Sequence, residues 1–478
     1  MTSENKALEQ VKSYLATLSP AIRAKLVSEI ESKRRSGQAD PAHDVVLRLM
    51  RDVVGGAAGE APATETPEEL FSAPIEPFLV DEQGGGKHEG FISRKAFEAV
   101  WRWMQREPAT ADAITVALNE ADAALKAGDE DRAAAVMAKL RADMVPSIQQ
   151  AVRSAAEDPR QQMNLSIQLE GERHVEDLGD IAAVLRLEAR IARLTGKLPS
   201  PIEELDGPTV NKITRRLKDD PSGDLIYLLI AIYRQLEYPA QLIRLLTLFE
   251  GTDDGARLCK SRYAACAEIL LADMDFAAER IAQYISRPTE FDALLTAIRK
   301  FYALANGLSV AVELEGAPDW RKRLAAMRRR ASEILSSEVE TIPGAVRRAL
   351  RPRRRDNQPT AASAEEVAEA EYSLRLMVGL KPYRAELAVN ELLGTVASQV
   401  EQFMEAANTS IVQEMRTASG AARDIARRNL DAAVRLNTVV FGDQYAALLK
   451  RSGEVAAPMP TRADGTADDA DAGAVTAA

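Results

Sequence analysis

The sequence predicts an all-α protein built in several parts, and three observations carry that prediction. Ala, Leu, Arg and Glu dominate while only 5% of residues are aromatic, a composition that favours helix on propensity. Apolar residues recur every three or four positions along most of the chain. Helix-start signals recur as well: Ser19-Pro20 and Asp40-Pro41 each place a capping residue before a proline, whose missing N–H costs nothing in the first turn. At 478 residues and 46% hydrophobic, the chain is long enough for about two to four domains.

The elements follow in order. Residues 1–54 read as a small helical module, with apolar stripes at Leu8, Val11, Leu15 and Leu18 and at Ile22, Leu26 and Ile30. Residues 55–68 are an acidic, Gly- and Pro-containing flexible linker. Residues 69–173 form a second helical region, containing a polar surface loop at 81–90 (DEQGGGKHEG) that is expected to be mobile. Ser93 should cap a helix carrying Phe97, Val100, Trp101 and Met104. Trp101 and Trp103 point to different faces, so one belongs to the core. Pro146 should kink or split the helix that contains it.

From 174 to 342 a succession of helix pairs is expected. YLLIAIYRQLEYPAQLIRLL and AACAEILLADMDFAAERIAQY align at an offset of 38 residues, with Tyr238 opposite Phe276, Ala240 opposite Ala278 and Ile243 opposite Ile281. The pattern loosely resembles the helical hairpin of tetratricopeptide-type repeats, although the offset departs from that family's period of about 34 residues. The resemblance implies a central array of hairpins, and stacked hairpins usually leave an extended binding surface.

The array ends in a strongly basic stretch, 321–355. It holds twelve cations (Arg321, Lys322, Arg323, Arg328, Arg329, Arg330, Arg347, Arg348, Arg351, Arg353, Arg354 and Arg355) against three acids. Its charge of +9 sits in a chain of −11. The first part reads as a helix following Pro318 and Asp319, and 343–362 reads as a basic, Pro-containing linker. Counterion release makes such a cluster a candidate polyanion contact. It lacks interleaved aromatics for stacking, the rest of the chain would repel a polyanion at long range, and its apolar face is too thin for firm insertion into anionic lipid. Contacts with protein are the preferred reading.

Residues 363–450 should form a hairpin of long helices. Val389, Leu392, Val396, Val400, Phe403, Ala407, Ile411 and Met415 give a seam close to heptad spacing. Such a seam needs a cover, either a helix around 425–436 or a second copy of the chain. Residues 451–478, rich in Ala, Asp, Gly and Thr, read as a disordered tail.

Chemical motifs are sparse. In GGGKH, Asp81 stands where a phosphate-binding loop needs its first glycine, and His88 where it needs Ser or Thr. His43, His88 and His174 have no partner at metal-ligand spacing. No His-Glu-x-x-His or Gly-x-Ser-x-Gly sequence occurs. The tail acids Asp464, Asp468, Asp469 and Asp471 lack the closing Glu of a calcium loop. Carboxylate neighbours such as Glu203-Glu204 and Asp219-Asp220 are expected by chance among 72 acids. Cys259 and Cys266 lie seven apart on a predicted helix, about 10 Å along it, too far to bridge.

No apolar run reaches the length of a membrane span, and no signal segment opens the chain. The composite expectation is a cytoplasmic scaffold or adaptor that needs no cofactor, binds other proteins and, where a second copy covers the seam, forms a homo-oligomer. A nucleic-acid-associated regulator using 321–355 is the alternative, and an enzyme with a pocket among the central helices is the second.

Overall fold

The computed structural model describes residues 66–81, 85–218, 224–351, 353–355, 358–383 and 389–456. The N-terminal module, most of the 55–68 linker and the tail from 457 lie outside them. Seventeen α-helices and two short two-stranded sheets make up the described part, so the protein is all-α.

In chain order these are α1 (Pro67–Ser72), β1 (Leu79–Val80), β2 (Ile92–Ser93), α2 (Arg94–Met104), α3 (Ala111–Lys126), α4 (Glu130–Glu157), α5 (Pro159–Gln168) and α6 (Glu172–Thr195). Next come α7 (Gly207–Lys218), α8 (Leu225–Tyr233), α9 (Leu242–Glu250), α10 (Gly255–Leu258), α11 (Ala265–Tyr284), α12 (Phe291–Ala311) and α13 (Pro318–Leu350). The C-terminal part holds β3 (Arg353–Arg355), β4 (Gln358–Thr360), α14 (Ala364–Leu380), α15 (Asn390–Thr417), α16 (Ala421–Phe441) and α17 (Asp443–Ala456).

The chain divides into two compact units. One takes the described residues up to Ser72 together with Asp112–Arg141; the other takes Ala73–Ala111 and the described residues from Ala142 onward. Within the first, Thr66 and Glu69 form a reciprocal cap that starts α1, and the Arg141 guanidinium donates to the carbonyls of Leu70 and Phe71.

The second unit is organised around α11. This helix is buried along much of its surface, with Ile269, Leu270, Leu271, Met274, Phe276 and Ile281 in the core, while its acids Glu268, Asp273, Asp275 and Glu279 meet cations or hydroxyls of neighbouring segments. It packs against α8, α9, α12 and α13. The second of the two aligned hairpins is corrected here. YLLIAIYRQLEYPAQLIRLL does bend, because Pro239 holds Tyr238 extended and opens a 3₁₀ turn. AACAEILLADMDFAAERIAQY is one continuous helix, α11: it contains neither Gly nor Pro, so nothing breaks it where the aligned proline breaks its counterpart.

The linker reading of 343–362 is also corrected. Pro343 lies inside the 33-residue α13. A proline there removes one helical hydrogen bond, but Ile342, Ala345, Val346 and Ala349 around it are all buried, and this packing holds the helix together. Pro146 is likewise carried inside a single helix, α4. Beyond α13, β3 and β4 pair antiparallel, Arg353 opposite Thr360 and Arg355 opposite Gln358, so the segment is a small hairpin. Ser363 and Glu366 then form a capping box that starts α14.

The C-terminal part is a group of four helices. α15 packs on α13, α16 and α17, and α14 on α13 and α16. Gly420 and Gly442, both at positive φ, make the turns into α16 and α17. The last helix continues to Ala456, past the boundary at 450 that composition suggests. Asn408 and Asn437 pair their amides reciprocally at 2.9 Å across the buried α15–α16 contact. Asn437→Ala should cost about 1–3 kcal/mol by stranding the Asn408 amide, and replacing both by Leu should recover most of that loss. Urea denaturation of the three variants checks it; equal loss in the single and double variants contradicts it.

Candidate functional site

Helix α13 carries most of the basic stretch and divides it between two roles. One stripe (Trp320, Leu324, Met327, Ala331, Leu335, Val339, Ile342 and Val346) is buried, at the three- and four-residue steps of a core-facing helix. Beside it, several cations are engaged with the chain's own acids. Glu268 of α11 accepts from the Trp320 indole at 2.7 Å and from Arg323 at 2.5 Å. Arg330 lies 3.5 Å from Glu279 and 3.9 Å from Asp275. Arg348 reaches Glu369 of α14 at 2.5 Å. The pairs with Glu268, Asp275 and Glu279 advance together along α11 and α13, so the two helices run in the same sense. Arg328 donates to the Ser309 hydroxyl at 3.0 Å, and Arg347 sits over the Phe403 ring at 5.9 Å.

Three of the remaining cations of α13 face outward. Arg321, Lys322 and Arg329 are exposed, with no ion pair among the described residues. Arg347, Arg348 and Arg351 are exposed near the end of the helix, and Arg353, Arg354 and Arg355 form β3. An open groove of about 720 Å³ runs along this outer face. Leu314, Leu324 and Ala325 contribute its apolar part, Arg321, Arg328 and Arg329 its basic end, and Glu333 and Glu340 its acidic end. The structure therefore spreads the twelve cations over the length of α13 and β3 instead of gathering them into one patch.

The second candidate, the seam, is corrected in register. Val389, Val396, Val400, Ala407, Ile411 and Met415 are buried as expected, but Leu393 and Met404 take the places assigned to Leu392 and Phe403. Those two are only half-buried. The buried positions 389, 393, 396, 400, 404, 407, 411 and 415 repeat every 11 residues, or about 3.67 per turn, which matches a nearly straight α-helix better than the 3.5 of a heptad. The cover is intramolecular: α13, α16 and α17 pack on α15.

A third constellation was missed in the sequence. The GGKHEG end of the polar loop, residues 85–90, is docked, not free. Lys87 places its ammonium between Asp177 and Asp180 of α6, 2.5 Å from the latter, and also donates to the Phe91 carbonyl at 2.7 Å. The two carboxylates accept further bonds from the backbone N–H groups of Ser93 and Gly90, and Asp180 accepts one from the Tyr227 hydroxyl at 2.6 Å. The next side chain, His88, is 3.3 Å from Asp275 and edge-on to Phe276. Gly90 is at positive φ against Ile230 and Tyr227, a conformation that few other residues adopt. Glu89 has its carboxyl raised above the ordinary value, first by loss of hydration and then by the Asp180 carboxylate.

A parallel arrangement holds the other end of α8, where Tyr233 donates to Asp273 of α11 and Lys300 lies 2.7 Å from the same carboxylate. Each tyrosine of LIYLLIAIY thus ties α8 to a neighbouring helix. Burial first, and the adjacent carboxylates second, push both phenols above their ordinary value of 10. In the unfolded chain they ionise near pH 10, before the folded ones do, so the stability they contribute is complete below that pH and is lost above it. The melting temperature should therefore fall between pH 9 and pH 11; a constant value across that interval contradicts the assignment.

Chemically, the phenol–carboxylate bonds are helix-to-helix ties, and the Lys87 ion pairs tie the loop to α6. Among the described residues no group of three or more His, Cys, Asp or Glu is arranged to hold a metal ion, and no helix is long and apolar enough to cross a membrane. The chain matches no protein-family model, no curated protein and no solved structure.

Proposed function

We propose that this chain is a non-enzymatic scaffold that docks a segment of another protein along the outer face of α13. The observation that supports the reading is the division of labour on that helix. Its apolar stripe and the cations beside it are taken up by the chain's own helices, whereas Arg321 and Arg329 stand unpaired at the lip of a groove with an apolar floor. Cations at one end and Glu333 and Glu340 at the other complement a segment that carries its acids at one end only. Apolar contact gives the affinity, and the charge polarity sets direction and on-rate. The covered seam of α15 favours docking onto α13 over self-association through the C-terminal helices.

Affinity capture from nuclease-treated extract tests the proposal, using wild type and the Arg321→Glu, Arg329→Glu double variant. A protein retained by wild type and lost from the variant is the expected result, and an unchanged set of retained proteins overturns it. The nucleic-acid alternative is weakened by the diversion of Arg323, Arg330 and Arg348 into ion pairs. Generic RNA or duplex DNA should be held only at low salt, with retention collapsing steeply towards physiological ionic strength. Salt-resistant, sequence-selective binding would favour the alternative.

A further inference from the structure

A second basic surface lies elsewhere in the large unit, and it differs from the α13 groove in having no acid in its lining. It is a cleft of about 680 Å³ between the end of α6, the end of α7 and α8. Arg190, Arg193 and Lys197 come from one side, Arg216 from the other, and Leu194, Leu217 and Leu228 contribute apolar wall. The sequence conceals it, because its cations fall in two runs. Residues 186–197 hold four cations and one acid, and 207–218 hold four cations and no acid. The nine residues between them include Glu203, Glu204 and Asp206, which dilute the signal in any window but do not line the cleft.

The geometry is built, not incidental. Positions 190, 193 and 197 stand three and four apart, so α6 and its extension project all three cations from one face. The Arg216 guanidinium donates to the Leu194 carbonyl at 2.6 Å, which fixes α7 against the end of α6 and holds one cation across from the others. Asp224 does not line the cleft; it is 2.7 Å from Arg186 and 3.9 Å from Arg190. Arg193 spends only its Nε, on the Ala189 carbonyl at 3.2 Å. Lys197 is exposed and has no partner among the described residues.

We infer that this cleft is a binding site for a small phosphate-bearing organic anion. Three arginine forks and a lysine match the oxygen geometry of phosphate groups, which guanidinium engages bidentately. The volume falls in the range of small-molecule sites, about 300–1,000 Å³, and the leucine wall suits the organic part of a phosphate ester. Size also argues against a nucleic acid strand. A chain of net charge −11 repels an extended polyanion along its whole length, whereas a small anion meets only the local positive field of the cleft.

The test uses the full-length protein at 150 mM salt, with ATP, inositol hexakisphosphate and inorganic tripolyphosphate titrated calorimetrically. The Arg193→Gln, Lys197→Gln double variant is the comparison; both side chains are exposed, and circular dichroism confirms that the variant is folded. Saturable binding of ATP or inositol hexakisphosphate, weakened about tenfold or more in the double variant, is expected, since two charge-assisted contacts are lost. The inference fails if neither organic phosphate binds at millimolar concentration, whether or not tripolyphosphate does, or if binding is unaffected by the double substitution. It fails equally if a single-stranded RNA oligomer binds through the same two residues more tightly than any of the small anions at this salt.

Discussion

Val400→Asp should abolish the stable packing of the C-terminal helices. Val400 is 1% exposed, in the middle of the α15 seam and facing helices of the same chain. A carboxylate there is shut off from bulk water among apolar seam residues, and the cost is several kcal/mol even after relaxation. That is a large share of the roughly 5–15 kcal/mol that stabilises an ordinary domain. Phe403→Asp, by contrast, should be mild. Phe403 is half-buried and rests under Arg347, so an aspartate there keeps access to water and meets a cation. The two variants are three residues apart, yet one is expected to melt far below wild type and the other close to it. A similar loss in both would restore the heptad register and overturn the 11-residue one.

Lys87→Met carries the second large effect. Asp177 is fully buried and Asp180 nearly so, and both are bridged by the single ammonium of Lys87. Removing one partner of a buried ion pair costs about 3–5 kcal/mol, because the remaining charge stays desolvated. Here two carboxylates are left facing each other across the space it filled. The loop should also undock, since Lys87 ties it to both acids of α6 just ahead of the His88 and Gly90 contacts. Limited proteolysis reads this separately from stability: the variant should be cut within 85–93 under conditions where wild type resists. Wild-type melting and wild-type resistance together would show that Lys87 does not anchor the loop.

These two sites mark where the sequence could and could not be read. The helical character was legible because it rests on local properties, namely propensity, three-and-four spacing and caps such as Ser363 with Glu366. The seam was legible to within one position: Leu392 against Leu393 and Phe403 against Met404 differ only in whether the period is 3.5 or 3.67, and adjacent apolar residues satisfy either. The docked loop was not legible. Gly, Lys and His in a polar run describe a surface loop equally well, and the acids that receive Lys87 stand 90 and 93 positions further on. A signal did exist, in Asp177 and Asp180 on the same face of α6 as Leu178 and Ile181, acids where an amphipathic pattern calls for apolar residues. Pro343 failed as a helix breaker for a related reason, since burial around it outweighs one missing hydrogen bond. The Arg-rich stretch was visible as charge, but how its cations divide between ion pairs and solvent depends on α11 and α14, which only the fold brings alongside.

The proposed docking face is tested most directly by a photo-crosslinking amino acid placed at Ala325, an exposed position in the α13 groove. Irradiation in intact cells, followed by mass spectrometry of the adduct, should yield a discrete protein partner joined through a segment with acids at one end. The adduct should disappear when Arg321 and Arg329 are both changed to Glu. Adducts to nucleic acid, or a protein adduct that survives the charge reversal, would contradict the account.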